Sequence, residues 1–170
     1  GRTFAAIQRG SSGNAVALCD LTQPEKPPIL FPERGGLYYL AASPDSRLVA
    51  VGTQYGLVVL YDTETMERKK VFHGHSQSVF GVKFSPDGKS LMSSSGGLET
   101  VKIWHVETGQ ELLTLRGAGS IIDHVQFVDN GNALLAGSGG QQGTWQIWRA
   151  PSWEQIAAIE AKEKTEIRQP

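Results

Sequence analysis

With 170 residues, 39% of them hydrophobic and 19% charged, the chain has ordinary globular composition and lies far from the polar, highly charged corner that marks disorder. Sixteen Lys and Arg against seventeen Asp and Glu leave a net charge of −1, without the basic stripe that a phosphate backbone needs, so nucleic acid is not an expected partner. The single cysteine, Cys19, excludes an internal disulfide and leaves the compartment open with the cytoplasm favoured, and no run approaches the roughly 18 apolar residues of a membrane span.

Twenty glycines and eight prolines fall in clusters between short apolar runs, the texture of many strands joined by tight turns. In chain order, the first strands are read at 4–7 and 15–19, and the next at 49–53 and 58–61. A third set follows at 79–84, 89–94, 100–105 and 110–115, and a fourth at 134–138 and 145–148. The sets are copies of one unit. Leu91-Met92-Ser93-Ser94-Ser95 with Val101-Lys102-Ile103-Trp104 recurs as Leu134 onward with Trp145-Gln146-Ile147-Trp148. It recurs earlier as Val49 onward with Val58-Val59-Leu60-Tyr61. The anchors Phe4, Val49, Leu91 and Leu134 are 45, 42 and 43 residues apart, the period of a four-stranded blade and longer than that of helical hairpins. Ser43-Pro44-Asp45-Ser46, Ser85-Pro86-Asp87-Gly88 and Val128-Asp129-Asn130-Gly131 align as hairpin turns.

Phe84-Ser85-Pro86-Asp87-Gly88-Lys89-Ser90-Leu91 and Val101-Lys102-Ile103-Trp104, with Gly74-His75 ahead of them, resemble a WD40 repeat, and the resemblance covers about residues 1–150. It implies an all-β chain, a β-propeller of WD40-like four-stranded blades with about three and a half blades present. The expected divisions are a partial blade lacking its inner strand at 1–34, blades at 35–76, 77–117 and 118–150, and a C-terminal helix and tail at 151–170. Family rings typically have seven blades. Completion of the ring by upstream blades is therefore expected, with closure by a second copy or an open array as the other outcomes.

In WD40 blades a polar network joins the Gly-His histidine, a second-strand Ser or Thr, a turn Asp and the third-strand Trp. Here His75, Ser93 and Trp104 match, while the turn Gly96-Gly97-Leu98-Glu99 has no Asp. The other third-strand positions hold Cys19, Tyr61 and Trp148 with no matching histidine, so those blades are expected to rely on packing.

The resemblance also implies an interaction face, formed by the loops before the inner strand and between the second and third strands. It carries Arg34, Tyr38, Tyr55, Ser78, Phe80, Glu99, Arg116, Asp123, Gln141 and Gln142 as candidate partner-binding residues, together with Gln54 and Ile121. Tyr38 and Phe80 near the starts of successive inner strands suit either a binding hot spot or filling of the funnel between blades.

After Trp148, Ser152 followed three residues later by Gln155 reads as a capping box opening a helix with Trp153, Ile156 and Ala157 on one face. The alternative is an outer strand at 154–159. The phrase Trp148-Arg149-Ala150-Pro151-Ser152-Trp153 resembles the close of WD40 arrays in bacterial multidomain proteins, some attached to eukaryotic-like serine/threonine kinases.

Catalysis finds little support. Gly137-Ser138-Gly139-Gly140-Gln141-Gln142-Gly143-Thr144 lacks the lysine and following helix of a phosphate loop. His73, His75, His105 and His124 scatter over different repeat positions, so no metal or cofactor is expected. A triad of Ser93, His75 and Asp123 has no nucleophile elbow. The expected function is a non-catalytic scaffold or sensor that recruits proteins or peptides; the alternative is the accessory propeller of a larger enzyme such as a kinase.

Overall fold

The computed structural model describes residues 3–10, 13–33, 35–97, 100–117, 121–138 and 143–150. These residues form four antiparallel sheets in chain order. The first contains β1 (Thr3–Gly10), β2 (Gly13–Asp20) and β3 (Ile29–Glu33). The second contains β4 (Leu37–Ala42), β5 (Leu48–Thr53), β6 (Leu57–Asp62) and β7 (Glu67–His73). The third runs through β8 (Gly81–Phe84), β9 (Ser90–Ser94), β10 (Val101–His105) and β11 (Glu111–Leu115). The fourth comprises β12 (His124–Val128), β13 (Ala133–Gly137) and β14 (Trp145–Arg149). Within each sheet the strands pair in sequence order, so each is a meander; the fold is all-β as expected, with the second and third sheets four-stranded and the first and fourth three-stranded among the described residues. The helix expected at 152–164 lies outside the described residues, and no described helix is long and apolar enough to cross a membrane.

The sheets stack face to face because successive side chains on a strand point to opposite sides. On β6, Val58 and Leu60 join Ala41, Ala50 and Phe72 against Val82, Phe84, Leu91 and Trp104 of the third sheet. Val59 and Tyr61 turn the other way, with Val49 and Val51, against Val16 and Leu18 of the first. Met92, Val101 and Ile103 meet Ile122 and Ala136 in the last wedge. The middle strands are therefore apolar on both faces, whereas the first residues of outer strands β7 and β11 are exposed. Full burial of each such Val or Leu contributes about 1.5–3 kcal/mol. At the inner edges β1 lies against β4, β4 against β8, and β8 against β12, so the inner strands gather on one side.

The turns at 43–46 and 85–88 are built alike. The Ser43 hydroxyl donates to Asp45 Oδ1 at 2.6 Å and accepts from the Leu48 N–H at 2.9 Å; Ser85 makes the same bonds to Asp87 at 2.6 Å and from Ser90 at 2.9 Å. Each turn then needs a left-handed residue, supplied by Ser46 at φ 61° and Gly88 at φ 72°. In the fourth sheet Asp129, Asn130 and Gly131 all take positive φ in a single 3-10 turn.

Candidate protein-binding face and its polar support

His75 leaves the loop between the second and third sheets and enters the third. Its Nε2 lies 2.7 Å from Ser93 Oγ, and the Trp104 indole N–H donates to the same oxygen at 2.7 Å. All three side chains are buried. Gly74 is required before the histidine, because a Cβ there would stand 2.8 Å from Trp104 Cη2. Ser93 has one proton to give; directed to Nε2, it leaves the remaining imidazole hydrogen on Nδ1. That buried nitrogen has no hydrogen-bond partner among the described residues. Burial lowers the His75 pKa from 6.5 to about 4; the nearby Lys102 ammonium adds to this and Glu111 opposes it. Lys102 is itself buried and donates to Glu111 at 3.0 and 3.1 Å and to Thr114 at 2.7 Å.

Tyr61 occupies the position of Trp104 one sheet earlier, and it does not rely on packing alone. Its hydroxyl donates to Glu33 at the end of β3, and Arg68 of β7 donates to the same carboxylate oxygen. Burial and the Glu33 carboxylate both push the phenol pKa far up, keeping it a neutral donor. Phe31 packs on the Tyr61 ring with centroids 4.8 Å apart. A sequence reading confined to one repeat unit misses Glu33, because it comes from the outer strand of the preceding sheet.

The loops ahead of the inner strands and between second and third strands lie at one end of the stack and are knitted by Gln54. Its Oε1 accepts from the Gly36 N–H at 2.7 Å, and its backbone carbonyl accepts from Ser78 Oγ at 2.9 Å. Ser95 Oγ in turn donates to the Ser78 carbonyl at 2.8 Å. Gly35, at φ 85°, fits because a Cβ would meet the Gln54 amide at 2.3 Å and the Tyr55 ring at 2.7 Å. On this frame Tyr38 and Phe80 stand with ring centroids 5.0 Å apart. Phe80 is half-buried, while Tyr38 is 42% and Tyr55 60% exposed. Filling between sheets and display to solvent are thus divided between the two partners of the pair.

Arg116 is exposed just beyond β11, and Asp123 lies half-buried in the same connector to the fourth sheet, where its carboxylate meets His124 Nδ1 at 2.7 Å. Arg34, Glu99, Gln141 and Gln142 lie outside the described residues. The imagined triad does not assemble: buried Ser93 is committed to Trp104 and His75, whereas Asp123 pairs with His124. Thr144 leads directly into a strand, which leaves no helix for a phosphate loop. A groove of about 620 Å³ between the third and fourth sheets is lined by Leu113, Leu115, Phe127, Leu134 and Trp148, with Ala150 at its rim.

The family model for "WD domain, G-beta repeat" matches residues 66–105, the stretch that holds the His75–Ser93–Trp104 network. The "uncharacterized WD repeat-containing protein sll1491" of Synechocystis sp. is 30% identical over 134 residues, covering 77% of this chain and 37% of that protein. The chain belongs to the WD40 repeat family. "Denticleless protein homolog A" of Xenopus laevis is 31% identical over 61% of this chain and 15% of its own length. "NACHT domain- and WD repeat-containing protein 1" of Mus musculus is 32% identical over 62% of this chain and 7% of its own. The chain thus spans well under two thirds of these relatives. WD40 repeats generally serve as non-catalytic scaffolds for protein interaction, and the four sheets described above are propeller blades.

Proposed function

We propose that this WD40 segment recruits a protein or peptide through the loop face carrying Tyr38, Tyr55, Ser78 and Phe80, with Arg116 and Asp123 on the adjoining connector, and that Arg34, Glu99, Gln141 and Gln142, which lie outside the described residues, contribute to the same binding. The observation that carries this reading is the Tyr38–Phe80 pair beside exposed Tyr55 on a frame pinned by Gln54. Large aromatic rings on a rigid base provide contact area at low entropic cost, and Tyr is enriched among residues that dominate binding energy.

Alanine at Tyr38, Tyr55 and Phe80 tests it. Affinity capture of the partner is expected to fall while thermal stability stays near wild type. Undiminished capture, or a loss of stability that accounts for all of the loss of capture, overturns it. On the same reading, further blades complete the ring. Its support is the apolar surface left on the outer faces, with Phe4 56% and Leu30 45% exposed on the first sheet and Ile147 55% exposed on the fourth.

A further inference from the structure

The groove of about 620 Å³ between the third and fourth sheets lies at the end of the stack opposite the Tyr38–Phe80 loops, beside the turns at 85–88 and 129–131. Its width has a local cause. In the first wedge Phe31, paired with Val16, packs on Tyr61, and in the second Phe72, paired with Val58, packs on Trp104 with centroids 5.5 Å apart. The third wedge has Leu115, paired with Val101, in that place toward Trp148. A leucine where the other wedges hold a phenyl ring leaves apolar space unfilled, and the walls of such a space forfeit their dispersion contacts.

The chain itself arrives at this groove from β14. The Ala150 N–H donates to the Asn132 carbonyl at 2.9 Å, as Thr63 does to Arg47 after β6 and Val106 to Lys89 after β10, both at 2.9 Å. The three strands therefore hand the chain on in the same way, up to Ala150 at the groove's rim. Aligned on those bonds, Trp153 falls at the position of Met66 and Gly109. Both of these take left-handed backbone, at φ 56° and 78°, and Met66 shows that a long side chain is tolerated there. Met66 packs into the wedge against the first sheet, and a Cβ on Gly109 would stand 3.0 Å from Lys70 Cδ of β7. A side chain at this position thus points at the outer strand of the preceding sheet. Leu113, paired with Ile103 as Lys70 is with Leu60, holds the place of Lys70 in β11 and lines the groove.

We propose that the occupant of this groove is the chain's own Trp153, its indole lying over Leu113 and Leu115 against Trp148, and that residues 154–159 continue as the outer strand of the fourth sheet. Among the described residues β14 has no outer neighbour, whereas β6 and β10 carry β7 and β11. The offsets that pair Tyr61 with Arg68 and Leu60 with Lys70, repeated in Trp104 with Glu111 and Ile103 with Leu113, place Gln155 opposite Trp148 and Ala157 opposite Ile147. The strand pairs the open backbone edge of β14, which a helix starting at Ser152 leaves bare, and the indole covers the apolar walls. Side-chain size is then exchanged from wedge to wedge: Phe72 stands with Gly109, Phe31 with Met66, and the smaller Leu115 with the larger Trp153. A groove filled in this way is closed to partners, which leaves binding to the loop face at the other end.

Two measurements on the full-length protein test the proposal. In a double-mutant cycle followed by urea unfolding, Leu113→Ala should lower the midpoint of the wild type yet leave that of Trp153→Ala nearly unchanged, because the contact it removes is already gone. Trp153→Leu serves in the same cycle if the alanine variant does not fold. Additive losses overturn the placement of the indole. The strand is tested by disulfide trapping in a Cys19→Ser background. The pairing of Leu57 with His73 carried onto the fourth sheet sets Thr144 opposite Glu160, within bridging distance for Thr144→Cys with Glu160→Cys. Copper-phenanthroline should close that pair about tenfold faster than Thr144→Cys with Lys164→Cys, which a strand separates further along the chain. A helix would carry residues 160 and 164 on one face, so equal rates, or no disulfide in either pair, overturn the strand.

Discussion

Ser93 serves two side chains with one oxygen, so its removal should cost more than a single hydrogen bond. Ser93→Ala leaves the Trp104 N–H and His75 Nε2 buried without partners, and a loss of about 2–4 kcal/mol is expected in urea unfolding at neutral pH. Trp104→Phe keeps most of the contact with Phe72 and should cost less. His75 also makes stability depend on pH. The folded protein holds it neutral down to about pH 4, whereas the unfolded chain takes up the proton near 6.5. Its contribution is therefore full above pH 6.5, declines as the pH falls toward 4, and is lost below, a change of about 3 kcal/mol. Urea titrations at pH 7 and 4.5 should show a smaller difference for His75→Gln than for wild type. The histidine, serine and tryptophan were legible in the sequence because they sit at fixed offsets within one repeat. Tyr61 was legible as a departure, but its partner was not, since an acidic residue at the end of an outer strand looks solvent-facing until the neighbouring sheet is in place.

At the scale of the element, the Ser-Pro-Asp turns explain why strand pairing could be anticipated. The Ser85 hydroxyl donates to Asp87, the Lys89 N–H donates to the same carboxylate oxygen at 3.0 Å, and both bonds hold the Asp87 pKa below its usual value. Asp87→Ala should cost about 1 kcal/mol, as loss of a comparable cap does, and Gly88→Ala a similar amount from its left-handed backbone. Thermal melts of the two variants check both values. Register was harder to foresee. Between Leu37 and Tyr39 the pairing of β4 with β5 shifts, which sends Leu37 and Leu40 to one core and leaves Tyr39 46% exposed. Alignment of the repeats singles out Tyr38 as the counterpart of Phe80, and nothing local in the sequence marks the shift that follows it.

For the whole molecule, the decisive quantity is apolar surface on sheet faces. The first two wedges between successive sheets bury their side chains almost completely, the third does so around Met92, Val101 and Ile122 but leaves a groove over Leu115, Phe127 and Trp148, and the outer faces of the first and fourth sheets are exposed. Residues 1–170 expressed alone are expected to self-associate in light scattering and to bind a hydrophobic dye. A soluble monomer with a sharp unfolding transition would count against completion of the ring by further blades. The repeat period revealed the sheets and their order, because period and turn chemistry are local properties. Contacts between sheets depend on which long side chains cross a wedge, and only the packed arrangement reveals them.

The bonds from Tyr61 and Arg68 to Glu33 have a kinetic consequence. The third sheet closes its network largely on itself, with His75 reaching in from the adjoining loop, whereas the second is fastened to the first by its buried phenol. The first two sheets should then open as one cooperative unit, exchanging their amide hydrogens with solvent together. In Glu33→Gln the amides of β3 should exchange ahead of those of β6, uncoupling two repeats that the wild-type chain forces to fluctuate in step.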